Sequence, residues 1–132
     1  MTASPGVLID TSAWVDFFRA DGDPKVFAAV EDLVLQGRAC LADFVRLELW
    51  NGARSARDQR LLARLERELR LIPTSPEVWS VALDLARALR ASGVTVPAAD
   101  ILIAATARSH GLEILHHDAH FDRIARATRP AR

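Results

Sequence analysis

The chain has 132 residues, half of them apolar, with 17 basic side chains balanced by 17 acidic ones. That length suits one compact domain over residues 1–132, and a lone cysteine, Cys40, excludes a disulfide framework. Net neutrality argues against a strongly basic protein that wraps nucleic acid, and no apolar run approaches the ~18 residues that cross a bilayer, so a soluble, cytoplasmic protein is expected.

In chain order, Val7-Leu8-Ile9 is a short apolar run of the kind found in strands buried on both faces. Thr11 and Ser12 are candidate N-caps for a helix carrying Trp14, Phe17 and Phe18, which Asp21-Gly22-Asp23-Pro24 ends. A second helix runs from Pro24 towards Gln36, with Gly37 in the usual place after a helix. Residues 38–42 read as a strand in which Cys40 is a small buried hydrophobe. Asp43 then caps a helix through Trp50, and Gly52 loosens its end. Residues 56–70 form a charged amphipathic helix with Leu61, Leu62, Leu65 and Leu69 towards the core. Leu71-Ile72-Pro73 is extended, and Pro76 opens a helix closed by Ser92-Gly93. Pro97 stands near the start of the next helix, which runs to His110 and stops at Gly111. Leu112–His116 reads as a strand, Ala119–Ala127 as the last helix, and the tail after Thr128 as frayed.

Short strands alternating with helices predict an α/β fold, a three-layer α/β/α sandwich around a short twisted parallel sheet. In such folds the reactive crevice lies outside the carboxyl ends of the strands. Asp10 ends the first predicted strand there, and Asp118 closely follows the last.

Four carboxylates stand out. Helical spacing puts Asp100 on one face with Ile103, Ala104 and Ala107, where an unpaired charge is costly and demands a partner or a shifted pKa. Phe44, Leu47, Glu48 and Asn51 share a face, which sets Glu48 beside core residues. Each acid also has a plain structural explanation. Asp10 and Asp118 can cap helices, Asp100 can bind first-turn amides, and Glu48 can pair with Arg46 or another arginine. Taken together they point to one acidic crevice, and carboxylates crowded into a crevice repel one another unless a cation intervenes. Hard divalent ions, Mg²⁺ or Mn²⁺, suit such oxygen ligands and also reach towards phosphate. Metal-assisted phosphodiester hydrolysis follows, although the acids alone do not separate it from other Mg²⁺-dependent phosphate chemistry.

Val7-Leu8-Ile9-Asp10-Thr11-Ser12-Ala13-Trp14 resembles the opening of the PIN-domain nucleases. The segment around Glu48 (Arg46 to Gly52) is similar to their glutamate-bearing helix, Pro97 to Ala107 with Asp100 to their third acidic segment, and His117 to Ala125 with Asp118 to the fourth. Order, spacing and length resemble the VapC-type toxins of bacterial toxin–antitoxin pairs over nearly the whole chain. The resemblance implies an Mg²⁺- or Mn²⁺-dependent endoribonuclease that cuts structured RNA and inhibits translation. It also implies a homodimer and a small antitoxin that blocks the groove. By position, Asp10, Glu48, Asp100 and Asp118 become the metal-coordinating and catalytic residues, with Thr11 or Ser12 a supporting hydroxyl. Many relatives carry a further acid two positions after the fourth, where this chain has His120; Asp122 is the nearest substitute, and the number of metal ions stays open.

Other readings are weaker. His116, His117, Asp118 and His120 suggest zinc, but adjacent histidines on a strand point to opposite faces. A phosphatase with Asp10 as nucleophile wants a second aspartate where Ser12 stands, and a signal-receiver domain wants a late lysine, whereas Lys25 is the only one. A non-catalytic or antitoxin-sequestered interaction module leaves the four acids without a purpose. Arg57, Arg60, Arg64 and Arg67 form a helical stripe that reads first as a solvated face threaded with acids, and second as a rim contacting RNA phosphates.

Overall fold

A computed structural model describes residues 5–128. Four strands, β1 (Val7–Ile9), β2 (Ala39–Ala42), β3 (Arg70–Ile72) and β4 (Glu113–Leu115), form one sheet in the order β3-β2-β1-β4. All pairings are parallel, with Leu8 opposite Cys40 and Ile114, and Leu41 opposite Leu71. Seven helices connect or follow them among the described residues: α1 (Thr11–Phe18), α2 (Pro24–Leu35), α3 (Asp43–Gly52), α4 (Ala56–Glu68), α5 (Pro76–Ala91), α6 (Ala98–Ser109) and α7 (Ala119–Ala127). Successive strand side chains point to opposite faces, yet every residue of β1 and β2 is buried. Helices must therefore cover both faces, which gives the expected α/β/α sandwich.

The strand order creates the crevice. From β1 the chain steps outward to β2 and β3, then returns to lay β4 on the other side of β1. Such a reversal opens a gap at the carboxyl ends of β1 and β4, because the connections leave in opposite directions. The Asp10 amide donates to the Leu115 carbonyl at 2.9 Å, extending the β1–β4 ladder by one bond and pinning Asp10 at that gap.

Local chemistry sets the element ends. Asp23, Ser55 and Ser75 each accept from a first-turn amide, and Pro24 and Pro76 open α2 and α5. Gly37, Gly93 and Gly111 follow their helices with positive φ, a conformation that costs glycine little. Gly22 is needed for a different reason. A Cβ there would come within 2.0 Å of the Asp16 carbonyl oxygen, so only glycine lets the loop close over the end of α1.

Three expectations need correction. The N-cap of α1 is Asp10, whose side chain accepts from the Ser12 amide, not Thr11 or Ser12. Asp43 lies in the first turn of α3, after an Ala42 cap with no side-chain bond; its carboxylate holds Arg46 and the Thr74 amide instead. The core face of α3 is Val45 and Leu49, whereas Leu47 is 63% exposed, so Glu48 sits at the boundary of the core. The tail after Thr128 lies outside the described residues. No helix among those described is long and apolar enough to cross a membrane.

Candidate metal centre

Three of the four predicted acids meet at the β1–β4 gap. Asp10 is 3% exposed and is held by two donors to one oxygen, the Ser12 amide at 3.1 Å and the Ser12 hydroxyl at 2.7 Å. The direction of that hydroxyl proton is settled by its other contact. Ser12 Oγ accepts from the His117 amide at 3.0 Å, so its own proton is free to go to Asp10. Residues after β1 and residues after β4 are thus tied together through one serine.

Asp118 caps α7 by accepting from the His120 amide at 2.9 Å, as its plain structural explanation allows. Asp100 does not cap α6, which begins after Pro97 with no side-chain cap bond. Its carboxylate accepts instead from His120 Nδ1 at 2.8 Å, and the same nitrogen lies 3.0 Å from Asp118 Oδ1. Facing two carboxylates, Nδ1 carries the ring proton. Donor atoms of Asp100, Asp118 and His120 all lie within 4.8 Å of one another.

Burial raises the Asp100 carboxyl above the ordinary carboxylate range; the His120 hydrogen bond opposes this, while the negative charges of Asp118 and Asp10 add to it. Asp10 thus lies near enough for its charge to act on Asp100, while the donor atoms grouped most closely are those of Asp100, Asp118 and His120. No arginine or lysine pairs with any of them among the described residues.

Glu48 is placed differently. Its Oε1 accepts from the Thr11 hydroxyl at 2.7 Å, which ties it to the residue after Asp10. Arg46, the partner its plain explanation suggested, turns to Glu66 and Asp43. Thr11 and Glu48 also line a cavity of about 300 Å³ between α1, α3 and α4, walled by Val15, Phe18, Leu49 and Leu62. The two hydroxyls therefore divide their work, Ser12 holding Asp10 and Thr11 holding Glu48.

The histidines separate as well. His116 lies 3.7 Å from Asp122, His117 Nδ1 lies 2.9 Å from Asp16 Oδ2, and only His120 faces the acids. Asp122 is accordingly turned away from the cluster. The Asp16–His117 pair was not foreseen from sequence. Its hydrogen bond raises the imidazole pKa and lowers the carboxyl pKa. Asp16 sits one turn past Ser12 on α1, and that spacing was the available signal.

The donor set fits a hard divalent cation: buried or half-buried carboxylates, mutually repelling, without a fixed cationic partner. A PIN domain family model matches residues 7–127. Ribonuclease VapC11 of Mycobacterium tuberculosis is 39% identical over 128 residues, 92% of this chain and 93% of that protein. FitAcB from Neisseria gonorrhoeae superposes with a TM-score of 0.75 at 25% identity, over 91% of this chain and 93% of that one. A toxin–antitoxin complex from Klebsiella pneumoniae shares the fold, with a TM-score of 0.70 at 19% identity over 86% of this chain and 88% of its counterpart. Matched by that family model over most of its length and 39% identical to Ribonuclease VapC11, the chain belongs to the PIN-domain family, among the VapC-type ribonucleases.

Proposed function

We propose that this chain, read as a single nuclease domain, is a divalent-metal-dependent endoribonuclease and the toxin of a toxin–antitoxin pair, acting in the cytoplasm to inhibit translation. The observation that carries the proposal is the convergence of Asp10, Asp100 and Asp118 without a cationic partner other than an imidazole. Asp10, Asp100, Asp118 and Glu48 would hold Mg²⁺ or Mn²⁺. When bound, the ion supplies Lewis acidity towards a phosphate oxygen and acidifies the attacking water.

The chain's own residues do the rest. Ser12 keeps the Asp10 carboxylate fixed by directing two hydrogen bonds to one of its oxygens. The α7 amide at His120 orients Asp118 by a single hydrogen bond to Oδ1. The Thr11 hydroxyl orients Glu48 by a hydrogen bond to its Oε1. The relatives support a ribonuclease by name and an antitoxin partner by the complex just described. Trp79 and Leu83, one helical turn apart on α5 and 52% and 55% exposed, supply apolar surface for a homodimer.

The test is induction of the chain in cells, followed by mapping of new RNA 5′ ends against an Asp10→Asn control. Discrete ends that vanish in the control, and growth arrest relieved by a small adjacent gene product, are expected. Purified protein should cut RNA with Mg²⁺ or Mn²⁺ and stop with chelator; full activity in excess EDTA would contradict the metal mechanism.

A further inference from the structure

We propose that His120 is a direct nitrogen ligand of the metal, and that it biases this site towards first-row transition ions over Mg²⁺. The inference rests on the metal-dependent reading above and goes beyond it in assigning a donor and a preference. It starts from two short distances. Nδ1 of His120 lies 2.8 Å from Asp100 Oδ2 and 3.0 Å from Asp118 Oδ1. Neighbouring ligands of an octahedral ion with bonds of ~2.1 Å stand about 3.0 Å apart, so Nδ1 already stands at ligand spacing from each carboxylate, and donor atoms of all three residues lie within 4.8 Å of one another. An ion entering there takes the place of the Nδ1 hydrogen, and the ring stays a neutral imidazole by carrying its proton on Nε2 instead, through exchange with solvent.

The backbone holds the imidazole in place. His120 lies in the first turn of α7, and its amide is bound to Asp118 Oδ1, so ring and carboxylate are fixed to one another by the cap. Asp100 reaches the same nitrogen from α6, an independent element. His116 and His117, the other imidazoles nearby, are engaged with Asp122 and Asp16 and leave His120 the one nitrogen at the acids. An imidazole donor favours transition ions, whereas Mg²⁺ prefers all-oxygen surroundings and surrenders its water reluctantly.

The test uses the full chain with Mn²⁺ and Mg²⁺ as probes and does not depend on catalysis. Pulsed electron paramagnetic resonance of the Mn²⁺-loaded protein should show coupling to a directly bound ¹⁴N, and this coupling should be lost in His120→Gln. Calorimetry should give a preference for Mn²⁺ over Mg²⁺ that falls by roughly tenfold in His120→Asp, which supplies an oxygen instead. Circular dichroism melts verify that both variants fold, and the wild-type spectrum stands without them. Mn²⁺ bound with no nitrogen coupling, or coupling that survives in His120→Gln, would overturn the inference and leave the metal-dependent nuclease intact. Wild-type protein that binds neither ion would overturn both.

Discussion

Helix α4 with its neighbour α3 and the carboxyl edge of the sheet both gather charge, but they resolve it in opposite ways. Around α4, acids meet arginines: Arg64 pairs with Glu68 at 2.9 Å, and Arg46 sends two donors to Glu66 at 2.8 and 2.6 Å. At the sheet edge, Asp10, Asp100 and Asp118 meet each other, with amides, a hydroxyl and His120 in between. The first arrangement is satisfied as it stands. The second gathers carboxylates in a half-buried crevice with no arginine or lysine partner among the described residues, a state that costs stability. Charge density alone therefore does not mark the site; the absence of fixed counter-charges does.

The largest effect that sharpens this contrast is on cleavage. Asp10→Asn should lower RNA cleavage by about a hundredfold or more, the scale of losing one electrostatic stabiliser of a transition state, while the fold persists by circular dichroism. Near-parental cleavage would remove Asp10 from the machinery. On the other side, Arg46→Met should lower stability by about 1 kcal/mol, between an exposed pair and a buried one, because it strands Glu66. Cleavage per folded molecule should be unchanged, and a loss of activity beyond the loss of folded protein would break the division between the two regions.

A smaller effect tests the site's rim. Because Asp16 raises the His117 pKa, their pair contributes stability that is complete below the unfolded histidine value of about 6.5 and is lost as pH rises through the folded value. The depressed Asp16 carboxyl sets the lower limit: its contribution is present above the ordinary carboxylate value and is lost as pH falls through the folded one. Denaturant melts of the parent should thus weaken slightly above that histidine value, and His117→Gln should flatten the slope. Parallel pH profiles for the two proteins would count against the pair. The smallest expected effect is none. Arg64 is engaged by Glu68, and Arg60 is exposed on the same helix, so replacing both with alanine should leave the salt dependence of RNA binding unchanged. A slope shallower by about one to two units would instead assign that face to phosphate contact.

Much of this was legible in the sequence because local rules governed it. Pro24, Pro76, Ser75 and the glycines after helices act within a few residues, and the element bounds follow them closely. Asp100 stood out because its helical face is otherwise Ile103, Ala104 and Ala107, all buried. What the sequence concealed depends on contacts between distant segments. That Ser12 and Thr11 serve different acids follows from how α3 and the 116–118 segment approach α1. Glu48 appeared more deeply set than it is, because the face it shares with Leu47 turns outward and Val45 and Leu49 fill the core. His120 looked like a departure from the acidic pattern, and its position between Asp100 and Asp118 emerges only when α6 and α7 pack together.

The most direct test of a shared, cation-requiring site is a set of thermal melts of the parent and Asp100→Asn, each in EDTA and in millimolar Mg²⁺ or Mn²⁺. The folded Asp100 carboxyl holds its proton more firmly than the unfolded one, so its charge costs stability as pH rises from the ordinary carboxylate value through the raised folded one. In EDTA the variant should melt at or above the parent, because it lacks the charge that Asp118 and Asp10 repel. Metal should stabilise the parent by binding linkage and the variant much less. A variant that melts earlier than the parent in EDTA, yet gains as much from metal, would contradict the account.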